Sequence, residues 1–505
     1  MTRVCSALLL AGLVGLTPAL AQRGGVGLPG VSGPVTAQYQ ADATRILAAA
    51  ATDTDGYAAL TYLCDRIGNR NSGTPQLNAA VQWGAELMKK AGLQNVTIQP
   101  AMVPHWVRGK ESASIVSPGL NGVPRKLRML GLGMSVGTPA GGITAEVLFL
   151  HDYAELDALP ADGAKGKIVV FDPGWHGYGV GTSYRTNGAS RAAAKGAVAV
   201  LVRSATGLAL QAPHTGRLVY DEKAPKIPSA AISVEDAGLI GRLAKDGPVT
   251  VHLEMEAHQE ADVKSGNVYG DLVGSEHPED VVVLGGHIDS WDVGQGAQDD
   301  GGGIMATFEA VSLLHKLGLK PKRTIRVVFW VNEENGGRGG DAYPVLLGAA
   351  AVAKHVAAIE MDGGAEKPLG MGYGTFGMRM GPPKPGAPPQ SMTPPGFDLT
   401  KLTEPQQASF ALLQQIAALL GPIGADKVFP GGGGEDIGPI VAMGVPSLSP
   451  HTVGEHYFDW HHSEADTLDK VDLEDFRKNI GMLAVTSFVL ADTKETLVGE
   501  KLAKE

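Results

Sequence analysis

The stretch Val281-Val282-Val283-Leu284-Gly285-Gly286-His287-Ile288-Asp289 joins a continuous apolar run to a glycine pair, a histidine and an acid. Such a run, ended by glycine, is typical of a strand that is buried on both faces of a sheet. Two similar runs follow at residues 324–331 and 355–360, and a helix-like pattern spans 303–317. Strands that alternate with helices predict an α/β fold with a doubly wound, mostly parallel sheet.

Acidic and imidazole side chains follow these strands at their carboxyl ends, where open α/β sheets bind ligands. Together with a cluster near the end of the chain, these groups are His287, Asp289, Asp299, Asp300, Glu333, Glu334, Asp362, His461, His462 and Asp466. In one crevice, so many like charges persist only if cations lie among them. Because histidine nitrogen with carboxylate oxygen suits zinc better than magnesium or calcium, we expect two Zn²⁺ ions.

The motifs around these residues resemble those of the co-catalytic dizinc exopeptidases, a family of secreted aminopeptidases and glutamate carboxypeptidases. The stretch from His287 to Gly301 is most similar to the plasma glutamate carboxypeptidases. The resemblance covers roughly residues 40–495. It implies a zinc exopeptidase (phosphorylase/hydrolase-like) fold with an inserted β-rich, protease-associated domain.

The resemblance also implies a set of metal ligands. Asp299 matches the carboxylate that bridges two zinc ions. His287 and Asp362 would complete the ligands of one ion. Glu334 and His462 would complete those of the other.

Further roles follow from the same resemblance. Glu333 matches the general base, which takes a proton from water and returns it to the leaving amine. Asp289 matches the carboxylate that orients the His287 imidazole. The Asp299-Asp300 pair matches one joined by a cis peptide bond.

Two adjacent histidines, His461 and His462, compete for one ligand position. The spacing from His462 to Asp466 and Thr467 fits the family motif, so His462 is the predicted ligand. His461 is then expected to be a packing or rim residue.

The first residues have the pattern of an export signal. Arg3 precedes an apolar run at 4–16, and Ala19-Leu20-Ala21 is a pattern that signal peptidase accepts. The apolar core is about a dozen residues, shorter than the roughly 20 that span a membrane. We therefore expect a secreted or periplasmic protein.

Changes in composition and pattern divide the chain into six predicted segments. These are a signal peptide (1–21), a flexible lead-in (22–35), a first catalytic part (36–139), a protease-associated-like insert (140–255), a second catalytic part (256–495) and a tail (496–505).

Composition and the resemblance together limit the classes of partner that this protein is expected to bind. Lys and Arg total 42 against 53 Asp and Glu, so the formal net charge is 42 − 53 = −11, which argues against nucleic-acid binding through a basic surface. We expect peptide substrates, no nucleic acid and no membrane after signal cleavage. Because the relatives are often dimers, a homodimer is also suggested.

The predicted function is a secreted zinc exopeptidase that hydrolyses dipeptides or short peptides, with an aminopeptidase on the same scaffold as the alternative. Binding of a substrate carboxylate would need Arg or Lys near the cleft, and binding of an amine would need an acid. The candidates are Arg338, Arg379 and Glu435, which the sequence does not rank. A non-catalytic ectodomain similar to the transferrin receptor is a remote alternative, because every expected ligand position is filled.

Overall fold

The structure is a computed structural model that describes residues 27–208, 210–375 and 397–499. The predicted signal peptide and Arg379 lie outside these ranges. Among the described residues, no helix combines the length and the apolar character that a membrane span requires.

A nine-stranded sheet forms the larger part of the molecule. In spatial order its strands are β1 (Leu28–Pro29), β16 (Lys427–Pro430), β15 (Pro368–Tyr373), β17 (Ser447–Thr452), β14 (His355–Glu360), β12 (His277–His287), β13 (Arg323–Trp330), β11 (His258–Leu272) and β2 (Gln94–Val107). The central strands β17, β14, β12 and β13 are parallel neighbours. Strands β11 and β2 on one side, and the β15–β17 pair on the other, are antiparallel.

The prediction of a mostly parallel sheet was therefore wrong, because the sheet contains both parallel and antiparallel strand pairs. Apolar runs report that a strand is buried but not which way it runs. The long antiparallel β2–β11 ribbon is half exposed, and its sequence carries no such run.

Helices cover both faces of this sheet, as predicted. They are α1 (Pro34–Ala50), α2 (Asp55–Tyr62), α3 (Pro75–Lys90), α7 (Gly302–Lys316), α8 (Arg338–Leu347), α9 (Ala349–Val352), α10 (Glu404–Leu419), α11 (Gly438–Val441), α12 (Tyr457–Trp460) and α13 (Leu473–Asp492). Alternate residues of β12 enter different cores: Val282 and Leu284 pack in one, Val281 and Val283 in the other. This alternation follows from the two-residue period of a strand.

A second, eight-stranded sheet is inserted between β2 and β11. In spatial order its strands are β4 (Val123–Leu127), β3 (Glu111–Leu120), β10 (Thr250–Met255), β6 (Ile143–Leu150), β7 (Ile168–Phe171), β8 (Ala199–Arg203), β9 (Ser229–Ile232) and β5 (Met129–Gly131). Its helices are α4 (Tyr153–Asp157), α5 (Tyr178–Ala193) and α6 (Val234–Asp246). We refer to residues 111–255 as the insert.

Two of the predicted segments need correction. The insert begins at β3 rather than at residue 140, because β3 pairs with β10 more than a hundred residues later, a contact that local pattern does not reveal. The described part of the predicted flexible lead-in is also paired, since β1 lies antiparallel to β16 and the Gly30 N–H donates to Asp426 O at 2.7 Å.

A buried histidine makes stability depend on pH. His355 is 6% exposed, and burial lowers its pKa to about 4, against about 6.5 in an unfolded chain. Its Nε2 lies 3.1 Å from the Tyr343 hydroxyl and its Nδ1 3.1 Å from Ala351 O. Because the unfolded state binds this proton first, stability is lost as pH falls from 6.5 toward 4.

We expect His355→Gln, which can keep both hydrogen bonds, to remove this loss. Between pH 7 and 4.5 the wild type should lose about 2 kcal/mol more of its free energy of unfolding than the variant. Urea unfolding at both pH values measures the difference, and parallel losses in the two proteins would contradict it.

Candidate active site

Loops at the carboxyl ends of the central strands bring the predicted site residues together. Strand β12 ends at His287, β13 is followed by Glu333 and Glu334, and β14 is followed by Asp362. Asp299 lies in an irregular helical turn, Ala297–Gly301, just before α7. Its peptide bond to Asp300 is cis, as the resemblance implies.

Asp299 lies at the centre of the cluster. Its Oδ1 is 3.2 Å from His287 Nε2, and its Oδ2 is 3.2 Å from His462 Nε2. Asp362 Oδ1 is 3.5 Å from His287 Nε2, and Glu334 Oε2 is 2.9 Å from His462 Nε2. Each histidine therefore faces one oxygen of Asp299, and the nearest further carboxylate is Asp362 for His287 and Glu334 for His462.

Glu333 lies at the edge of this cluster. Its Oε2 is 4.0 Å from His287 Nε2, and its side chain is 15% exposed. Burial raises the pKa of this carboxyl group well above its usual range, and Glu435 and Asp362 add to the shift by charge repulsion.

The Asp289 carboxylate makes different contacts from the predicted one with the His287 imidazole. His287 Nδ1 lies 3.0 Å from the backbone oxygen of Asp289 but 3.9 Å from its carboxylate. The carboxylate instead accepts the backbone N–H groups of Glu333 and Glu334 at 3.1 and 3.3 Å. The preceding Asn332 has a positive φ of 69°, which turns this backbone toward Asp289.

The donor set fits metal ions. Glu334 Oε1 is buried without a hydrogen-bond donor, an arrangement that costs free energy unless a cation neutralises it. Burial and the charge of Asp299 raise the pKa of Glu334 to about 7. Burial opposes the charged form of His462, but Glu334 and Asp299 outweigh it and raise the pKa of the imidazole to about 9. Both pKa shifts are those expected in a buried site where negative charge exceeds positive charge.

His461 is buried at 6% exposure rather than on a rim. Its ring stacks on His462 with centroids 3.5 Å apart, and its Nε2 lies 3.4 Å from Asp299 Oδ2. The same nitrogen is 3.3 Å from the hydroxyl of Tyr178, which belongs to the insert.

Several residues that support the site were missed or underrated by sequence reasoning. Arg70, which sequence reasoning did not single out, is fully buried and donates to the backbone carbonyls of Ile288, Gln295 and Gly296. Asp466 accepts the N–H groups of Ala297, Gln298 and Asp299 at 2.7–3.1 Å. From the insert, the Thr215 N–H donates to His462 O at 2.9 Å.

The two described candidates for binding a charged end of the substrate lie in different surroundings. Arg338 is exposed at the start of α8. Glu435 is close enough to Glu333 to raise the pKa of that carboxyl group. Neither takes part in the Asp299 cluster.

Comparison with known proteins identifies the family. Residues 267–486 match the model of Peptidase family M28. Carboxypeptidase Q of Mus musculus is 38% identical over 442 residues, which cover 87% of this chain and 86% of the mouse protein. The chain belongs to peptidase family M28. The prediction of a metallo-exopeptidase resembling plasma glutamate carboxypeptidase, or carboxypeptidase Q, is confirmed.

Solved structures agree with this assignment. An M28 peptidase precursor from Shewanella amazonensis has 31% sequence identity and a TM-score of 0.80, covering 92% of this chain and 98% of that chain. A zinc aminopeptidase from Bacillus subtilis has 20% identity and a TM-score of 0.61, covering 87% of this chain and 95% of that one. The second likeness shows that the two folds correspond.

Proposed function

We propose that this M28 peptidase is a secreted, zinc-dependent exopeptidase that hydrolyses dipeptides or short peptides in the manner of carboxypeptidase Q. The observation that carries the proposal is the position of Asp299 between His287 and His462, with Asp362 beside the first imidazole and Glu334 beside the second. This symmetric donor set suits a pair of zinc ions that share a carboxylate.

In this proposal Asp299 would help to hold both ions. His287 and Asp362 would hold one of them with it, and Glu334 and His462 would hold the other. Zinc held there supplies Lewis acidity toward the scissile carbonyl and toward water.

Glu333 acts as the general base and then as the general acid in this proposal. It is not needed as a ligand, and its partly exposed carboxylate is directed to the same cluster. It takes a proton from the attacking water and delivers it to the leaving amine. Asp289 holds the Glu333 backbone through its N–H group, which keeps the base in reach.

The two adjacent histidines can be told apart by metal content. His462 Nε2 faces Glu334 while its Nδ1 lies 3.3 Å from Thr215 O, the usual arrangement of a metal-bound imidazole. We expect His462→Asn to bind about one zinc less per chain and His461→Asn to keep both, as measured by elemental analysis after dialysis. The reverse result would assign the ligand role to His461.

The insert is proposed as a protease-associated domain that covers part of the cleft. Its support is the contact of Tyr178 and Thr215 with the two histidines. A homodimer stays a prediction from the resemblance alone.

The function is tested with a free dipeptide, its amino-acetylated form and its carboxyl-amidated form, before and after chelation. We expect cleavage of the free dipeptide to stop on chelation and return with added zinc. Loss on amidation alone identifies a carboxypeptidase, and loss on acetylation alone identifies the alternative aminopeptidase. Activity that survives complete removal of metal would overturn the proposal.

A further inference from the structure

Four buried polar side chains connect the loop of the two adjacent glutamates to a distant part of the chain. Asn332 and Asn335 flank the glutamates, whereas Asn71 and Ser72 lie in the turn before α3. The sequence separation between Ser72 and Asn332 is 260 residues. Each of the four residues is at most 2% exposed. Burial of so many polar groups is tolerated only where they are hydrogen-bonded.

These side chains form a closed set of hydrogen bonds, which we call the polar ring. Asn332 Nδ2 donates to Ser72 Oγ at 2.9 Å and also to Asn335 Oδ1. Asn335 Nδ2 donates to Asn71 Oδ1 at 3.3 Å, and the same oxygen accepts the Ser72 N–H at 3.0 Å. None of the buried polar atoms of these four side chains lacks a partner. A fully satisfied network of this kind fixes a single arrangement of its members.

The Ser72 hydroxyl connects the polar ring to the candidate active site. It donates to Asp289 Oδ2 at 3.5 Å, while its oxygen accepts the Asn332 amide. The buried Asp289 carboxylate also accepts the backbone N–H groups of Glu333 and Glu334 at 3.1 and 3.3 Å. The carboxylate that holds the backbone of both glutamates is therefore itself held by the polar ring.

Asn332 holds the same loop in a second way. Its φ of 69° lies in a region that asparagine adopts more readily than most residues. Its Oδ1 accepts the Arg338 N–H at 3.2 Å, and a Cβ on Gly336 would lie only 2.0 Å from this oxygen. The backbone that follows the glutamates is thus packed against the Asn332 side chain.

We propose that Ser72 and Asn332 are positioning residues, which keep the Glu333 carboxylate within reach of the attacking water by holding Asp289. In the proposed function no metal ion holds Glu333, so the position of its carboxylate depends on the backbone that carries it. A general base must lie within hydrogen-bond reach of the proton that it accepts, and a misplacement of about 1 Å can lower a rate about 100-fold. The inference rests on the proposed function, because it concerns the rate only if Glu333 is the base.

Ser72→Ala tests the inference in two backgrounds, the wild type and Glu333→Gln. In the wild type we expect kcat for a free dipeptide to fall about 10–30-fold, with zinc content unchanged, because the base is less well placed. KM should stay within about twofold of its value, since substrate binding is not affected. In the Glu333→Gln background the same substitution should change the residual kcat by less than about twofold, because no base is left to position.

Ser487→Ala is the matched control. It removes another buried serine hydroxyl, which lies on α13 and donates to Ala484 O at 3.4 Å. Because Ser487 has no contact with the polar ring among its described hydrogen bonds, this variant should keep the wild-type kcat and KM.

Asn332→Gly provides a second variant, in which the turn is retained. Glycine adopts a positive φ without steric cost, so the substitution removes the contacts of the side chain and not the conformation of the backbone. We expect kcat to fall at least as far as in Ser72→Ala. The double variant should lose less than the product of the two single losses, because both residues act through one network. Losses that multiply in full would overturn the proposal of a shared network.

The results that would overturn the inference differ from those that would overturn the proposed function. An unchanged kcat in Ser72→Ala, an equal fold-loss with and without Glu333, or a loss of zinc would each remove Ser72 from the positioning role and leave the peptidase function intact. A wild-type kcat in Glu333→Gln alone, or no cleavage by the zinc-loaded wild type, would mean that the proposed function fails and the inference with it. Both of these are measured before Ser72 is changed.

Discussion

Glu333→Gln is expected to lower kcat on the order of 10³-fold while zinc content stays at the wild-type value. The substitution removes the group that accepts and returns the proton but keeps the size of the side chain. Its backbone N–H still donates to Asp289, so the loop should keep its shape. Elemental analysis and steady-state kinetics on the same preparation measure both quantities.

Glu334→Gln is the matched control, because the two residues are adjacent and the substitution is identical. Glu334 Oε2 lies 2.9 Å from His462 Nε2, so this variant should lose zinc as well as activity. Peptidase activity retained in Glu333→Gln would remove Glu333 from the base role. Zinc loss in both variants would make Glu333 a ligand instead.

The sequence was sufficient for the parts of this protein that follow from local pattern. Apolar runs located the central strands, and parallel neighbours necessarily end at the same edge of the sheet. The proximity of His287, Glu333 and Asp362 therefore follows from the sequence alone. The alternation of Val281 to Leu284 between two cores similarly follows from strand geometry.

Features that depend on distant pairing were not accessible in this way. The insert begins at β3, but only its pairing with β10 reveals this. Arg185 looks in sequence like Arg191 on the same helix, yet one meets His462 and the other meets Asp157. Local sequence does not encode which face of a helix will contact a distant part of the chain.

Arg70 lies beneath the loop that separates His287 from Asp299. It is 0% exposed, and its guanidinium donates to the carbonyls of Ile288, Gln295 and Gly296 at 2.7–3.0 Å. Its charge also faces the buried acids around that loop, which are Asp289, Asp300 and Asp466. One side chain thus fixes both ends of the loop and offsets the charge of the acids around it.

Replacing Arg70 with an apolar side chain of similar length should therefore destabilise the protein. We expect Arg70→Met to lower the free energy of unfolding by about 3–5 kcal/mol, because buried carbonyls and acids are left unpaired. Zinc affinity should fall as well, since His287 and Asp299 are no longer held at a fixed separation. Urea unfolding of the zinc-free proteins and competition with a chelator measure the two effects separately.

The exposed Arg66 provides the control four residues earlier on the chain. Arg66→Met should change the free energy of unfolding by less than about 0.5 kcal/mol and leave zinc affinity unchanged. Arg70→Lys should fall between Arg70→Met and the wild type, because an ammonium group keeps the charge but cannot reach all three carbonyls in a planar arrangement. An Arg70→Met protein as stable as Arg66→Met would mean that water or a shifted side chain satisfies the loop, and that the geometry of the His287–Asp299 pair does not depend on this guanidinium.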